Sequence, residues 1–272
     1  MQKSSRVKHS VHPNSENTEN GMQSMDAEGA ADTQLERATA ALRDLVLRGT
    51  FPVDEKLPEM KVAELLGVSR TPARLAMAVL EQDGLLVRLP RRGFRVKSFS
   101  LDEVVQAIEV RGEIEAIAAR LVAERGLPAE FRARMEACIG RSEILLKNAS
   151  FEAPQRRDWC QMNVDFHDAL VQACAVRPLA SACAQVNLVP LASPRDIMFN
   201  VARPELSRRQ LEATHADHAH ILEAILARQS TRAAALVREH AYRSGENKRR
   251  NFPDIRMRTM VLETPGVALI KS

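Results

Sequence analysis

From Thr33 the apolar positions take up a helical rhythm: Leu35, Ala38, Leu42, Leu45 and Val46 keep helical spacing, and Gly49 supplies a stop. Phe51-Pro52-Val53-Asp54 reads as a loop, and Pro58 suits the first turn of a short helix ending near Leu66-Gly67. Ser69 is a good N-cap for a third helix, which accepts Pro72 in its first turn and continues through Leu75, Val79 and Leu80 to Gly84. Two β-prone runs, Leu85-Leu86-Val87-Arg88 and Phe94-Arg95-Val96, flank Leu89-Pro90-Arg91-Arg92-Gly93 and predict a hairpin. From Leu101 onward only helical patterns follow, roughly over 102–125, 128–148, 155–175, 178–188, 205–228 and 231–250, punctuated by Gly126-Leu127-Pro128 and by Pro154, Pro178, Pro190, Pro194 and Pro204.

The expected fold is therefore mainly α. Residues 1–32, rich in Ser, Asn, Glu and Gly without periodicity, are expected to be a disordered tail. Residues 33–97 form three helices and a hairpin, residues 101–252 an all-helical domain, and 253–272 a tail to which no structure is assigned. Composition supports this reading: of 272 residues 45% are hydrophobic but only 4% aromatic, and Ala and Leu dominate, a bias toward helix over sheet. No apolar run reaches the roughly 20 residues of a membrane helix, and the first residues lack an apolar signal core. The four cysteines (Cys138, Cys160, Cys174, Cys183) form no CxxC and read as small hydrophobes in a reducing compartment, so a cytoplasmic protein is expected.

The net charge of +4 excludes little until its distribution is read. Between Val68 and Lys97 seven basic residues (Arg70, Arg74, Arg88, Arg91, Arg92, Arg95, Lys97) face Glu81 and Asp83, an excess of +5, which leaves −1 for the rest. Positive charge on a third helix and on the following hairpin describes a winged helix-turn-helix. Arg70 and Arg74, one turn apart, can reach guanine edges or phosphates in a major groove. Ser69 and Thr71 offer short donors beside a helix N-terminus, Arg91 and Arg92 reach an adjacent groove, and Gly93 permits a tight turn.

Leu57-Pro58-Glu59, Ala63-Glu64-Leu65-Leu66-Gly67-Val68-Ser69-Arg70-Thr71-Pro72, Arg74 and Leu80-Glu81-Gln82-Asp83-Gly84-Leu85 resemble the reading head of GntR-family bacterial transcription regulators. The resemblance implies DNA contacts from Arg70, Thr71 and Arg74 on the recognition helix and from Arg92-Gly93 on the wing. One position departs: a basic residue often follows Pro-Glu in the second helix, whereas here Met60 stands there and Lys61 comes next.

Five of the seven histidines lie after residue 160. Asn163 and His167, four apart, share one helical face, while His218 and His240 sit on two later helices. Three imidazoles from three helices can converge on a divalent metal, although isolated core or surface histidines are the commoner outcome. Val110-Arg111-Gly112-Glu113-Ile114-Glu115, Asn163-Val164-Asp165-Phe166-His167, His218-Ala219-His220-Ile221-Leu222-Glu223-Ala224-Ile225 and His240 resemble the six-helix (FCD) effector domain of the FadR-type branch. That resemblance implies a divalent ion (Zn, Ni or Mn) on Asn163, His167, His218 and His240, with Asn where the family usually carries Asp. His215 and His220 match no ligand position and are expected in solvent or at a pocket rim. Arg111 is the candidate clamp for an effector carboxylate; its plainer role is a surface pair with a helical Glu.

Ile108-Glu109-Val110-Arg111, Glu124-Arg125-Gly126 and Gln185-Val186-Asn187-Leu188-Val189-Pro190-Leu191-Ala192-Ser193-Pro194 resemble regulators of vanillate and related aromatic-acid catabolism. The function implied is a repressor that binds a near-palindromic operator as a homodimer and responds to a small carboxylate. Two alternatives remain at this level: a metal-dependent enzyme using the three histidines, and a nonspecific architectural DNA-binding protein. The enzyme reading lacks any HExxH or GxSxG signature.

Overall fold

The computed structural model describes residues 33–90, 93–147, 152–200, 203–257 and 264–271, so the 1–32 segment and Arg91 and Arg92 lie outside it. The chain begins with helix α1 (33–47), then β1 (Lys56–Leu57), α2 (Glu59–Leu66), α3 (Arg70–Gln82), β2 (Leu86–Leu89) and β3 (Gly93–Val96). β2 and β3 form the expected antiparallel hairpin, and β1 adds to it in the order β1-β3-β2, with Leu57 opposite Phe94. Two residues carry no alternation, so β1 is invisible to a periodicity argument. Ser69 occupies the N-cap position of α3 in extended backbone, but its hydroxyl makes no capping bond. Pro58 likewise stands at the N-cap of α2, one place before its expected site. Ala38, Leu42, Val46, Leu57, Val62, Ala73, Met77, Leu80, Phe94 and Val96 close the head around one core.

β4 (Phe99–Ser100) leads directly into α4 (Leu101–Arg125), whose start is sealed by a capping box: Glu103 N donates to Ser100 Oγ at 3.1 Å and Ser100 N donates to Glu103 Oε2 at 2.7 Å. Helices α5 (Ala129–Lys147), α6 (Ala153–Ala173), α7 (Arg177–Val186), α8 (Pro204–Leu226) and α9 (Ser230–Met257) complete the helical domain. Their boundaries lie close to those expected, except that α9 runs through Pro253 to Met257. The axis of the domain is the α4–α9 pair. A Cβ on Gly112 would collide with the Ala241 methyl, and one on Gly245 would press on Val105 Cγ1 at 3.1 Å. Small residues at these crossings let the two backbones approach closely.

The last described segment contains no α-helix. A 3-10 turn (Val267–Leu269) precedes β5 (Ile270–Lys271), which pairs in parallel with β4 through Phe99 and Ile270. Val267, Leu269 and Ile270 are buried in the core of the reading head, where Leu191, Ala192 and Phe252 of the helical domain also lie. A second core fills the bundle around Trp159, Met162, Phe166, Met135 and Ile225.

Candidate functional site

Two sites follow from this frame. The first is the exposed face of α3. Ser69, Arg70, Thr71 and Arg74 are all exposed there, while Ala73, Ala76, Met77 and Leu80 anchor the opposite face. Arg70 Nη2 reaches the Met60 Sδ at 3.1 Å, so the residue that replaces a basic side chain on α2 instead supports a recognition-helix arginine. Gly93 opens β3 with φ +83°, a left-handed backbone that side chains resist. Arg91 and Arg92 lie outside the described residues.

The structure also sorts the basic excess. Arg88 is held by Glu81 (Nη2 to Oε2, 2.6 Å) and lies over the Phe94 ring, 4.7 Å from its centroid. Arg95 pairs with Asp54, and the Lys97 ammonium sits 4.5 Å from the Phe99 centroid. Much of the hairpin charge thus serves the fold, whereas Arg70 and Arg74 project from the helix.

The second site is inside the helical domain. His167 on α6, His218 on α8 and His240 on α9 are all buried, and one ring nitrogen of each lies within 4.8 Å of the others'. Their ring centroids are 5.0–5.4 Å apart. His167 Nδ1 is 2.9 Å from Glu115 Oε2, and His240 Nδ1 is 3.1 Å from Asp217 Oδ2. A carboxylate accepts the Nδ1 proton, so each ring turns Nε2 away from its partner and toward the centre. Phe166 stacks on His218 at 3.9 Å and 11°. The Nε2 atoms of His167 and His218 are buried without a hydrogen-bond partner, and so is Asn163 Oδ1. Burial, together with the neighbouring imidazoles, pushes the His218 pKa well below the ordinary histidine range and keeps the ring neutral.

Asn163 explains its own identity. Its Nδ2 donates to the Pro194 carbonyl at 2.7 Å, a bond an aspartate could not make. Since that carbonyl can only accept, Oδ1 must point the other way.

Arg111 is buried on α4, with Nε 3.5 Å from Glu115 Oε1 and Nη1 donating to the Ala192 carbonyl. The pairing with a helical Glu exists, but in the interior rather than at the surface. Burial raises the Glu115 pKa, but His167 and Arg111 outweigh it and bring the carboxyl down to about 2. Arg111, Asn163 and His240 all line a cavity of about 490 Å³, together with Asp196, Thr214 and Lys248. His220 is exposed, as expected. His215 is half-buried and bonds Ser142 on α5 at 2.7 Å, so it ties two helices together and does not line the cavity. Glu115, Asp217, Asp196 and Lys248 escaped sequence reasoning; only Glu115, four residues after Arg111, carried a local signal.

The thiols form no disulfide, and Cys183 Sγ donates to Glu115 Oε1 at 4.0 Å. Cys138, Cys174 and Cys183 are buried and Cys160 half-buried, all unpaired, and burial pushes Cys138 up to about 11 and Cys183 to about 12.

A winged head joined to a helical domain, with a cavity beside three buried histidines, defines a transcription regulator. Residues 34–96 match the bacterial regulatory proteins of the gntR family and residues 106–243 match the FCD domain, so the chain belongs to the GntR family of regulators with an FCD domain. It is 28% identical to the HTH-type transcriptional repressor GlaR of Escherichia coli strain K12, over 73% of this chain and 88% of that one. It is 31% identical to a probable D-xylose utilization operon repressor of Paenarthrobacter nicotinovorans, over 53% of this chain and 63% of that one. Among solved structures, E. coli McbR/YncC shares the fold with a TM-score of 0.58 at 18% identity, covering 80% of this chain and 98% of that one. Lar of Listeria monocytogenes is similar, with a TM-score of 0.56 at 17% identity over 79% and 96%. These families and relatives are regulators, not enzymes. No helix of the described residues is long and apolar enough to cross a membrane.

Proposed function

We propose that this regulator is a cytoplasmic, dimeric repressor that binds a near-palindromic operator and is released when a small carboxylate enters the helical domain. Ser69, Arg70, Thr71 and Arg74, with Arg91, Arg92 and Gly93 of the wing, make the DNA contacts. The dimer reading is supported by a stripe on α4, where Val110 (51% exposed) and Ile117 (38%) continue through half-buried Ile114 and Leu121. Apolar residues repeating on one solvent-facing helix edge favour a second copy of the same helix. Repressor is the sense of regulation carried in the names of the E. coli and Paenarthrobacter relatives.

One observation carries the effector reading: the buried rings of His167, His218 and His240 converge, with unpartnered Nε2 atoms on His167 and His218, beside a cavity that His240, Asn163 and Arg111 line. Buried ring nitrogens without partners are costly, and three imidazoles that converge suit a divalent ion. His167, His218, His240 and Asn163 Oδ1 would hold Zn, Ni or Mn. When bound, the ion supplies positive charge that no neutral ligand cancels, and so attracts an anion. Arg111, already oriented by Glu115 and the Ala192 carbonyl, presents its remaining donors to the same carboxylate. Vanillate and related aromatic acids, suggested by the closer sequence resemblance, are the first members of that class to titrate. The enzyme alternative finds no support among the relatives, and a nonspecific architectural role would leave the cavity unused.

The test couples metal content to effector release. The purified protein should contain about one divalent ion per chain, and carboxylate should weaken operator retardation in a gel shift. Chelation or His218→Ala should reduce that response. Protein free of metal that responds to acids equally well after chelation would reduce the histidines to a polar cavity wall.

A further inference from the structure

The cavity contains one more buried cation besides Arg111, which the metal ligands leave unused. Lys248 on α9 is only 3% exposed and lines the cavity, and its Nζ has no hydrogen-bond partner among the described residues. A lysine normally extends its flexible stem until the ammonium reaches water. Here it ends in the interior, where an unpaired ammonium is costly. Asp196 faces the same cavity and attracts Lys248, yet Nζ remains without a bond to it. Around Lys248 on α9 stand Asn247 and Asn251, already hydrogen-bonded to each other, and both are neutral.

Position along the helix separates Lys248 from the metal end. It lies eight residues beyond His240 on α9, a rise of roughly 12 Å along the axis. That rise separates the two backbone positions, while the Arg111 charge still acts on the Lys248 ammonium across the cavity. Exposed Arg209, Arg243 and Arg250 also line the cavity, but its buried cations are two: Arg111 beside the histidines, and Lys248 further along α9. Both are buried, and Arg111 is already partly engaged by Glu115.

We propose that Lys248 is a second anion anchor, so that the cavity selects effectors carrying two separated anionic groups, dicarboxylates in particular, over monocarboxylates of equal length. The proposal rests on the reading of this cavity as a carboxylate effector site. Charge-assisted bonds in a buried site are the strong ones, and a second carboxylate supplies the counter-charge that Lys248 lacks. Asp196 is then a competing anion at the same end, and its removal favours the ligand.

Calorimetry on the full-length, metal-loaded protein tests this with straight-chain dicarboxylates from succinate to adipate, each against the monocarboxylate of equal length. Isophthalate is compared in the same way with benzoate and vanillate. The expected result is at least tenfold tighter binding for the diacid of best length, with that advantage lost in Lys248→Met, partly kept in Lys248→Arg, and widened in Asp196→Asn. Thermal melts of each variant establish that it is folded. If Lys248 serves only to balance Asp196, then Lys248→Met and Asp196→Asn will change stability without changing the preference, and the anchor is overturned. It is equally overturned if acids bind without regard to a second carboxylate, or if vanillate binds tighter than every diacid. If no acid of either kind binds, the carboxylate reading of the cavity fails as well.

Discussion

Arginines of the same formal charge do different work in this head, and their partners decide which. Arg88 and Arg95 are bound to Glu81 and Asp54, while Arg74 stands exposed on the recognition helix. Arg74→Ala is therefore expected to lose about 1–3 kcal/mol on the specific operator if the side chain reads a base, and to weaken all duplexes alike if it touches phosphate. Gel shifts against operator and scrambled DNA distinguish the two; unchanged binding to both would remove Arg74 from the interface. Lys248 makes the opposite kind of prediction, in stability. Burial lowers its pKa from 10.5 to about 8, Arg111 adds to the effect and Asp196 opposes it. The unfolded chain then holds this proton over a range where the folded chain has released it, so stability should rise as pH increases from about 8 toward 10.5. Lys248→Met should raise the melting temperature at pH 7 by several degrees, corresponding to about 2 kcal/mol, and flatten that pH dependence. A variant that melts lower than the native protein would show that Asp196 already satisfies the ammonium.

At the scale of elements, the α4–α9 crossing positions the site. Gly112 meets Ala241 and Gly245 meets Val105, and within four residues of these contacts α4 offers Arg111 and Glu115 while α9 offers His240 and Lys248. Gly112→Val should force the helices apart at a cost of about 1–3 kcal/mol. It should also loosen metal binding, since His240 moves relative to His167 on α6. Metal retention during dialysis and a thermal melt check both effects, and native values in both would mean that the crossing can yield. The helices themselves were legible because amphipathic spacing, capping residues and prolines are local signals. Their crossing was not, because a glycine in a helix looks like a weak point until the neighbour it admits is known.

Over the whole molecule, the segment 264–271 joins the two halves. Gly266 N donates to the Leu47 carbonyl at 2.8 Å, Lys271 pairs with Asp54, and Gly266 packs on Pro190 and Leu191. The loop it touches also carries the Ala192 and Pro194 carbonyls that receive Arg111 and Asn163. Deleting residues 264–272 should uncover Val267, Leu269 and Ile270 and cost about 5 kcal/mol, or about 10 °C in melting temperature. An unchanged melt would mean that the segment only rests on the head. Ile117→Arg tests assembly: the dimer should dissociate in sedimentation and operator affinity should fall, because two half-sites are no longer held by one body. A dimer that survives this charge would place the interface elsewhere.

The helices, the hairpin, the basic recognition helix and the set of histidines were legible in the chain, because each is written in short-range spacing or residue type. Tertiary structure alone decided that His167, His218 and His240 converge, that Glu115 and Asp217 orient their rings, and that Arg88 and Arg95 are spent within the head. It also decided that Lys248 ends in the interior and that 264–271 returns to the head. Partners separated by 23 to 52 residues in sequence, such as His240 with Asp217 and His167 with Glu115, leave no periodic trace in the chain. Whether a charge is free, paired or buried depends on what folding brings beside it.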